Sequence, residues 1–308
     1  MLTLSPSHRL QGALCGAGAG ALWGLVFLAP ELVPGFTPLS LTLGRYLFYG
    51  LLSAALLAPR WKTVAANLKP SQGITLACLG LVGNLIYYLL LATAVRLGGI
   101  AMTSLVIGFL PVAVTLVGSR EQGALPLRKL APSLTFCLAG VVCIGGQALS
   151  HGLTGDSSAL GLLCALGALV SWTWFAVANR RSLERSLSVS ELDWNLLTGV
   201  STGAWSLLLI PFAFLTEAAG HSPSDWLRLA AVSAGVALLA SIVGNALWNR
   251  MSRLLPLTLV GQMILFETLF ALLYGFCWKQ RLPTALETLS FTLVSLSVAT
   301  CLSAHRER

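Results

Sequence analysis

One pattern governs this chain: apolar runs of about twenty residues, each ended by a short connection carrying proline, glycine or charge. A helix rises about 1.5 Å per residue, so about 20 apolar residues cover the ~30 Å hydrocarbon layer of a bilayer. Ten runs can be read, at 10–29, 38–58, 74–95, 100–119, 130–149, 159–179, 192–215, 228–249, 256–278 and 284–303. Breaker signals separate them at Pro34-Gly35, Pro59, Pro70, Gly98-Gly99, Pro126, Gly152 to Ser158, Pro223 and Pro283. Pro38, Pro132 and Pro256 fall near run starts, where a missing N–H costs little. No connection is long enough for a separate domain. Strand-type alternation is missing, which argues against a β-barrel.

Composition agrees. Only 10% of the 308 residues are charged, against about 25% in a soluble domain. The deficit extends along the whole length, so the expected class is an all-α polytopic membrane protein. The net charge of +8 does not point to nucleic acid, because Lys and Arg sit in small groups between apolar runs and form no basic face.

Their placement sets an orientation. With the N-terminus in the cytoplasm, the inner segments hold 14 basic residues, from Arg9 through Arg60, Arg128 and Arg180 to Arg308, and the outer segments hold 4, Arg96, Arg228, Lys279 and Arg281. Positive charge marks the cytoplasmic side, which puts both termini there.

The halves 1–150 and 151–308 carry similar segments in the same order. Val82-Gly83-Asn84-Leu85-Ile86-Tyr87 in the third run matches Val243-Gly244-Asn245-Ala246-Leu247-Trp248 in the eighth. Trp23 and Trp172 occupy similar places in the first and sixth runs. Five crossings per half is an odd number, so the second half enters the membrane inverted. Inverted repeats are a transporter architecture with the binding site near the midplane.

Two charges sit deep inside apolar runs, Arg45 in the second and Glu267 in the ninth. An unpaired charge at the centre of a bilayer costs roughly 2.5–3.5 kcal/mol on insertion scales. Glu267 has three readings: an anchor for a substrate amine, a proton carrier, or a structural ion pair with Arg45. Arg45 is correspondingly an ion-pair partner or a substrate anchor.

Asn84, Tyr87 and Tyr88 lie within one turn, as do Asn245, Trp248 and Asn249, and residues three or four apart share a helix face. Amides donate and accept while aromatic rings supply flat apolar walls, a combination suited to a zwitterion with a ring. Interhelical bonding and interface anchoring are the structural alternatives, and Asn249 fits that role better. Trp23 and Trp172 are cavity or core residues. Trp174 points to a different face, and Trp61, Trp194, Trp226 and Trp278 fit an interfacial belt. Gln262 is a weaker cavity candidate. Pro111 in the fourth run is a candidate hinge. Gly12, Gly16, Gly20 and Gly24 recur every four residues and let the first run approach a neighbour closely.

The seven cysteines lie in apolar runs and form no CxxC pair, so they read as small packing residues. His8, His151, His221 and His305 lie at termini or connections. No catalytic or phosphate-binding motif is present, so neither a metal nor a cofactor is expected, and ATP hydrolysis is not.

Several of these residues together resemble the EamA-type drug/metabolite transporter superfamily: Gly20-Ala21-Leu22-Trp23-Gly24, Pro38 with Leu43-Gly44-Arg45, the stretch from Ala92 through Pro111, and Ser171-Trp172. Within it the chain looks most like the YddG branch of bacterial aromatic amino-acid exporters. It departs from the family pattern in the ninth run, where Phe266-Glu267-Thr268 stands in place of a common proline. The resemblance implies a central cavity lined by runs 1, 3, 4, 6, 8 and 9, and export of small amphipathic metabolites, amino acids foremost, across the inner membrane. Expected partners are a small-molecule substrate and membrane lipid. The rival readings are a flippase, a transporter of another metabolite class, and an intramembrane enzyme using Glu267, which would need a second catalytic group.

Overall fold

The computed structural model describes residues 6–120, 126–149, 156–185, 189–217, 220–280 and 282–306. His151, Arg281, Arg308 and part of the connection that begins at Gly152 lie outside these residues. Among the described residues every regular element is helical. In chain order the first are α1 (Pro6–Gly24), α2 (Ala29–Leu32), α3 (Pro38–Leu57), α4 (Trp61–Ala66), α5 (Pro70–Cys78), α6 (Tyr87–Ile107), α7 (Leu110–Gly118) and α8 (Leu127–Leu149). The rest are α9 (Asp156–Arg185), α10 (Glu191–Thr216), α11 (Pro223–Val236), α12 (Asn245–Leu254), α13 (Leu257–Met263), α14 (Leu265–Lys279) and α15 (Ala285–Arg306).

Among the described residues, seven helical stretches are long and apolar enough to cross a membrane: Ser7–Leu28, Pro38–Ala66, Pro70–Leu97, Ala159–Arg185, Glu191–Thr216, Pro223–Leu254 and Leu257–Trp278. The runs 100–119, 130–149 and 284–303 are not among them, although the chain is helical there in α6 and α7, α8 and α15. Helix starts follow the local chemistry. Thr37, Ser190 and Ser222 cap α3, α10 and α11, each accepting a backbone N–H through its hydroxyl. Pro38 and Pro223 stand in the first turn, where no N–H partner is lost.

Gly98-Gly99 does not interrupt α6, as the breaker signal led one to expect. Ala94, Val106 and Ala165 belong to one small buried cluster. The break instead falls at Gly108 and Phe109, and Pro111 stands in the first turn of α7. It begins a new helix rather than kinking a continuous one. Pro132 lies five residues inside α8, deeper than a helix-start proline.

The glycine spacing of α1 works by close contact. A Cβ on Gly16 would lie 2.7 Å from Met251 Sδ, and one on Gly20 would lie 2.7 Å from the backbone nitrogen of Glu267. Bare backbone on α1 thus lets α12, α13 and α14 approach, and Glu267 is held by that contact. The core is continuous through the bundle and rich in aromatic residues. Trp194 belongs to it. Its ring is fully buried and its indole N–H donates to Asn179 Oδ1 at 2.9 Å, so the belt assignment fails for this residue. Trp61, Trp226 and Trp278 are each 40% exposed or more, as a belt requires.

Candidate functional site

Two helical stretches widen from α to π geometry, Leu79–Ile86 between α5 and α6, and Ala237–Gly244 between α11 and α12. A π turn shifts each hydrogen bond one residue along and leaves carbonyls turned off the helix axis. In an apolar bundle such groups need donors, and side chains of neighbouring helices provide them. Trp205 Nε1 donates to Ala77 O at 3.0 Å, and Ser171 Oγ to Val82 O. Trp23 Nε1 donates to Ala240 O at 3.1 Å, and Asn195 Nδ2 to Ser241 O and Ile242 O at 3.2 and 2.9 Å. The two widened stretches overlap when Val82–Tyr87 is laid on Val243–Trp248.

The matched glycines play reciprocal roles. A Cβ on Gly83 would lie 2.1 Å from the ring of Phe175 in α9, and one on Gly244 would lie 2.9 Å from Trp23 Nε1 in α1. Each widened stretch therefore seats an aromatic ring from the helix that opens the other half.

Between them lies a small cavity. Trp23, Val26 and Phe27 form one wall, Arg45 and Tyr46 a second, and Asn84, Tyr87, Tyr88 and Leu91 a third. Trp172 and Phe175, Asn245, and Glu267 complete it. The free space is about 40 Å³, room for a few waters.

Asn84 Nδ2 donates to Thr202 Oγ1 at 2.9 Å, which fixes the amide while its residue still borders the cavity. Arg45 is 8% exposed. Its Nε donates to Ser241 Oγ at 3.2 Å, and its guanidinium carbon lies 5.0 Å from the Tyr46 ring centroid and 4.7 Å from that of Tyr88. Such cation–π contacts offset part of the cost of burial. Among the described residues no ion pair joins Arg45 to Glu267, although both border the same space. The site thus presents one cation and one carboxylate, separated by a gap and walled by rings.

At one end the cavity is closed by tryptophans. Trp23, Trp172 and Trp248 pack with centroid distances of 5.7, 5.0 and 5.2 Å. Trp248 stands behind the wall rather than in it, and among the described residues its indole N–H has no partner. Beyond it, Asn179 Nδ2 donates to Asn249 Oδ1 at 2.8 Å, and Arg253 pairs with Glu191 at 3.2 Å.

Of the residues expected at the site, the fold brings Trp23, Arg45, Asn84, Tyr87, Tyr88, Trp172, Asn245 and Glu267 around one space. It does not bring Gln262 there. That amide is fully buried between helices, with Nε2 donating to Thr115 Oγ1 at 3.4 Å and Oε1 accepting from Ser297 at 3.1 Å. Pro111 is buried in α7 and absent from the wall. Sequence reasoning missed Val26, Phe27, Tyr46, Leu91 and Phe175. A usable signal existed for four of them: Val26 and Phe27 follow Trp23 by three and four residues, Leu91 follows Tyr87 by four, and Phe175 follows Trp172 by three. Among the described residues no cluster of His, Cys, Asp and Glu could hold a metal.

Residues 159–303 match the EamA-like transporter family. The chain is 31% identical to the inner membrane protein YtfF of Escherichia coli (strain K12), with 97% of each chain aligned. A solved crystal structure superposes with a TM-score of 0.76 over 97% of this chain and 99% of the other, at 21% identity. That likeness concerns the fold.

Proposed function

Because the chain belongs to the EamA-like transporter family, we propose that it is a secondary transporter of small amphipathic metabolites in the bacterial inner membrane. Amino acids, aromatic ones included, are the first candidates, and export is the direction, as in the YddG branch. The observation that carries the reading is the cavity: an arginine and a glutamate with no ion pair between them, surrounded by rings. A zwitterion with an apolar side chain complements each part. Its carboxylate matches Arg45, its ammonium matches Glu267, and its ring matches Trp23, Tyr87 and Trp172. Membership of a transporter family favours transport over an intramembrane enzyme using Glu267.

The ten crossings, the two inverted units 1–150 and 151–308, and the cytoplasmic termini form one scheme. The reciprocal contacts Gly83–Phe175 and Gly244–Trp23 support it, as does the distribution of Lys and Arg. In this orientation the tryptophan cluster and the Asn179–Asn249 pair close the cytoplasmic end. Space for about three waters does not hold an amino acid, so the walls must part to admit one. Alternating access then exchanges which end is closed, with the break before α7 at Pro111 as a hinge.

Counterflow in proteoliposomes tests this directly. Vesicles preloaded with unlabelled phenylalanine should accumulate radiolabelled phenylalanine faster than protein-free vesicles. No counterflow with any amino acid, together with flux of a lipid or another metabolite class, would remove the substrate assignment.

A further inference from the structure

Arg45 is aimed. A guanidinium carries five N–H donors in one rigid plane. The Nε–H is committed to Ser241 Oγ at 3.2 Å, and the rings of Tyr46 and Tyr88 stand 5.0 and 4.7 Å from the guanidinium carbon. The two terminal nitrogens carry the remaining four, on a residue that borders the cavity. Beside them the Tyr88 hydroxyl, on a side chain 2% exposed, has no acceptor for its proton. Donors thus crowd this part of the wall, and the one carboxylate that borders the same cavity, Glu267, forms no ion pair with Arg45. A planar fork of N–H groups with an adjacent hydroxyl proton fits a carboxylate, which accepts two parallel bonds from arginine.

Ser241 is itself fixed. It lies in the widened stretch Ala237–Gly244 and is fully buried. Asn195 of α10 holds its carbonyl and that of Ile242, and Asn195 in turn accepts from the Tyr49 hydroxyl of α3 at 2.6 Å. The serine hydroxyl is thus a fixed post supported by two other helices.

We propose that Arg45 and Tyr88 clamp the substrate carboxylate, and that Ser241 is a positioning residue that pins Nε so that the terminal nitrogens face the cavity. The proposal rests on the amino-acid reading above and names how that substrate is recognised. Without the pin the long arginine side chain regains rotamer freedom, and the cost of ordering it falls on ligands that use the fork. A ligand lacking the carboxylate does not bear that cost. Ser241 therefore governs discrimination, separately from overall affinity.

The test compares phenylalanine with phenethylamine, which differs by the missing carboxylate, using calorimetric titration of the purified full chain in detergent. The wild type should prefer phenylalanine by about tenfold to a hundredfold, the range of one charge-assisted contact. Ser241→Ala should reduce that preference at least about threefold by weakening phenylalanine alone. Its phenethylamine affinity should stay unchanged, which also reports that the variant is folded. Ser241→Thr, which keeps the hydroxyl, should restore the preference, and Tyr88→Phe should lower it independently of Ser241. An unchanged preference in Ser241→Ala would overturn the positioning role. A wild type that binds both ligands equally would overturn the clamp while leaving an amino-acid transporter that reads the ammonium end. Binding of neither ligand would overturn the amino-acid reading and this inference with it.

Discussion

Gly50 of α3 and Gly203 of α10 meet backbone to backbone, so that a Cβ on either would lie 2.6 Å from the Cα of the other. The contact is the midpoint of a clasp. At one end Arg60 pairs with Asp193 at 3.0 Å. At the other, Glu217 just past α10 accepts from the backbone and hydroxyl of Thr37 at 3.2 and 2.8 Å, and from the Ser40 hydroxyl. Three ties spread over the length of two helices resist both sliding and splaying. They fix α3, which carries Arg45 and Tyr46 of the cavity wall, against α10.

That clasp should be sensitive to one added methyl. Gly203→Ala forces backbone apart, because the clash is with Cα and not with a flexible side chain, and overpacking of this kind costs about 1–3 kcal/mol. Gly235→Ala, where a Cβ meets nothing within 4 Å, is the control. Thermal unfolding in detergent should show a clear loss for the first and none for the second. Equal shifts would mean that the close approach is not what constrains Gly203.

Asn195 ties three elements with one amide. Replacing it by leucine strands the carbonyls of Ser241 and Ile242 in the buried core, while the Tyr49 hydroxyl keeps the backbone carbonyl of residue 195 as an acceptor. Each stranded buried group costs about 1–3 kcal/mol. Asn195→Leu should therefore unfold at a markedly lower temperature or fail to accumulate, and Asn195→Asp, which also loses the Nδ2 donor and sets a carboxylate against both carbonyls, should be no better; wild-type stability in either would deny the amide this role.

Glu217 gives stability a dependence on pH. Burial pushes its carboxyl up, but the bonds from Ser40, Thr37 and His221 outweigh that and hold it below the ordinary value of 4.5. A carboxyl lowered in the folded state contributes stability that is complete above 4.5 and lost as pH falls through the folded value. Melting temperature should drop across that acid window, and Glu217→Gln should shrink the part of the drop due to this group. An identical acid profile in the variant would assign the clasp no role in it.

Glu267 has no ion-pair partner among the described residues, so Glu267→Gln should fold normally. If the carboxylate engages the substrate amine, the variant should lose about tenfold in apparent affinity for amino acids. If it also carries protons, the pH dependence of flux should flatten. Full transport with an unaltered pH profile would remove Glu267 from the mechanism.

The sequence made the helical class and most of the cavity wall legible for a simple reason. Polar and charged groups are costly in lipid, so those that persist at depth, Arg45, Asn84, Asn245 and Glu267, mark where the bundle is not lipid-like. Gln262 met the same criterion and lies elsewhere, because a buried amide can be fully occupied by Thr115 and Ser297. Nothing in the residue itself distinguishes the two fates. Trp194 misled in the same way, since a tryptophan near a run's end suits a belt unless a partner such as Asn179 waits inside. Ser241 was invisible. Its place depends on the widened turn, and Ala237–Gly244 carries no signature that separates π from α geometry.

The proposed transport path runs through this aromatic cavity. Single cysteines at Val26 and Leu91, which both border the cavity, decide it in a chain whose seven native cysteines are replaced. A membrane-impermeant thiol reagent should modify both positions in membranes, and phenylalanine should slow both reactions in a concentration-dependent way. Modification that phenylalanine leaves unchanged, alongside active counterflow, would place the path elsewhere.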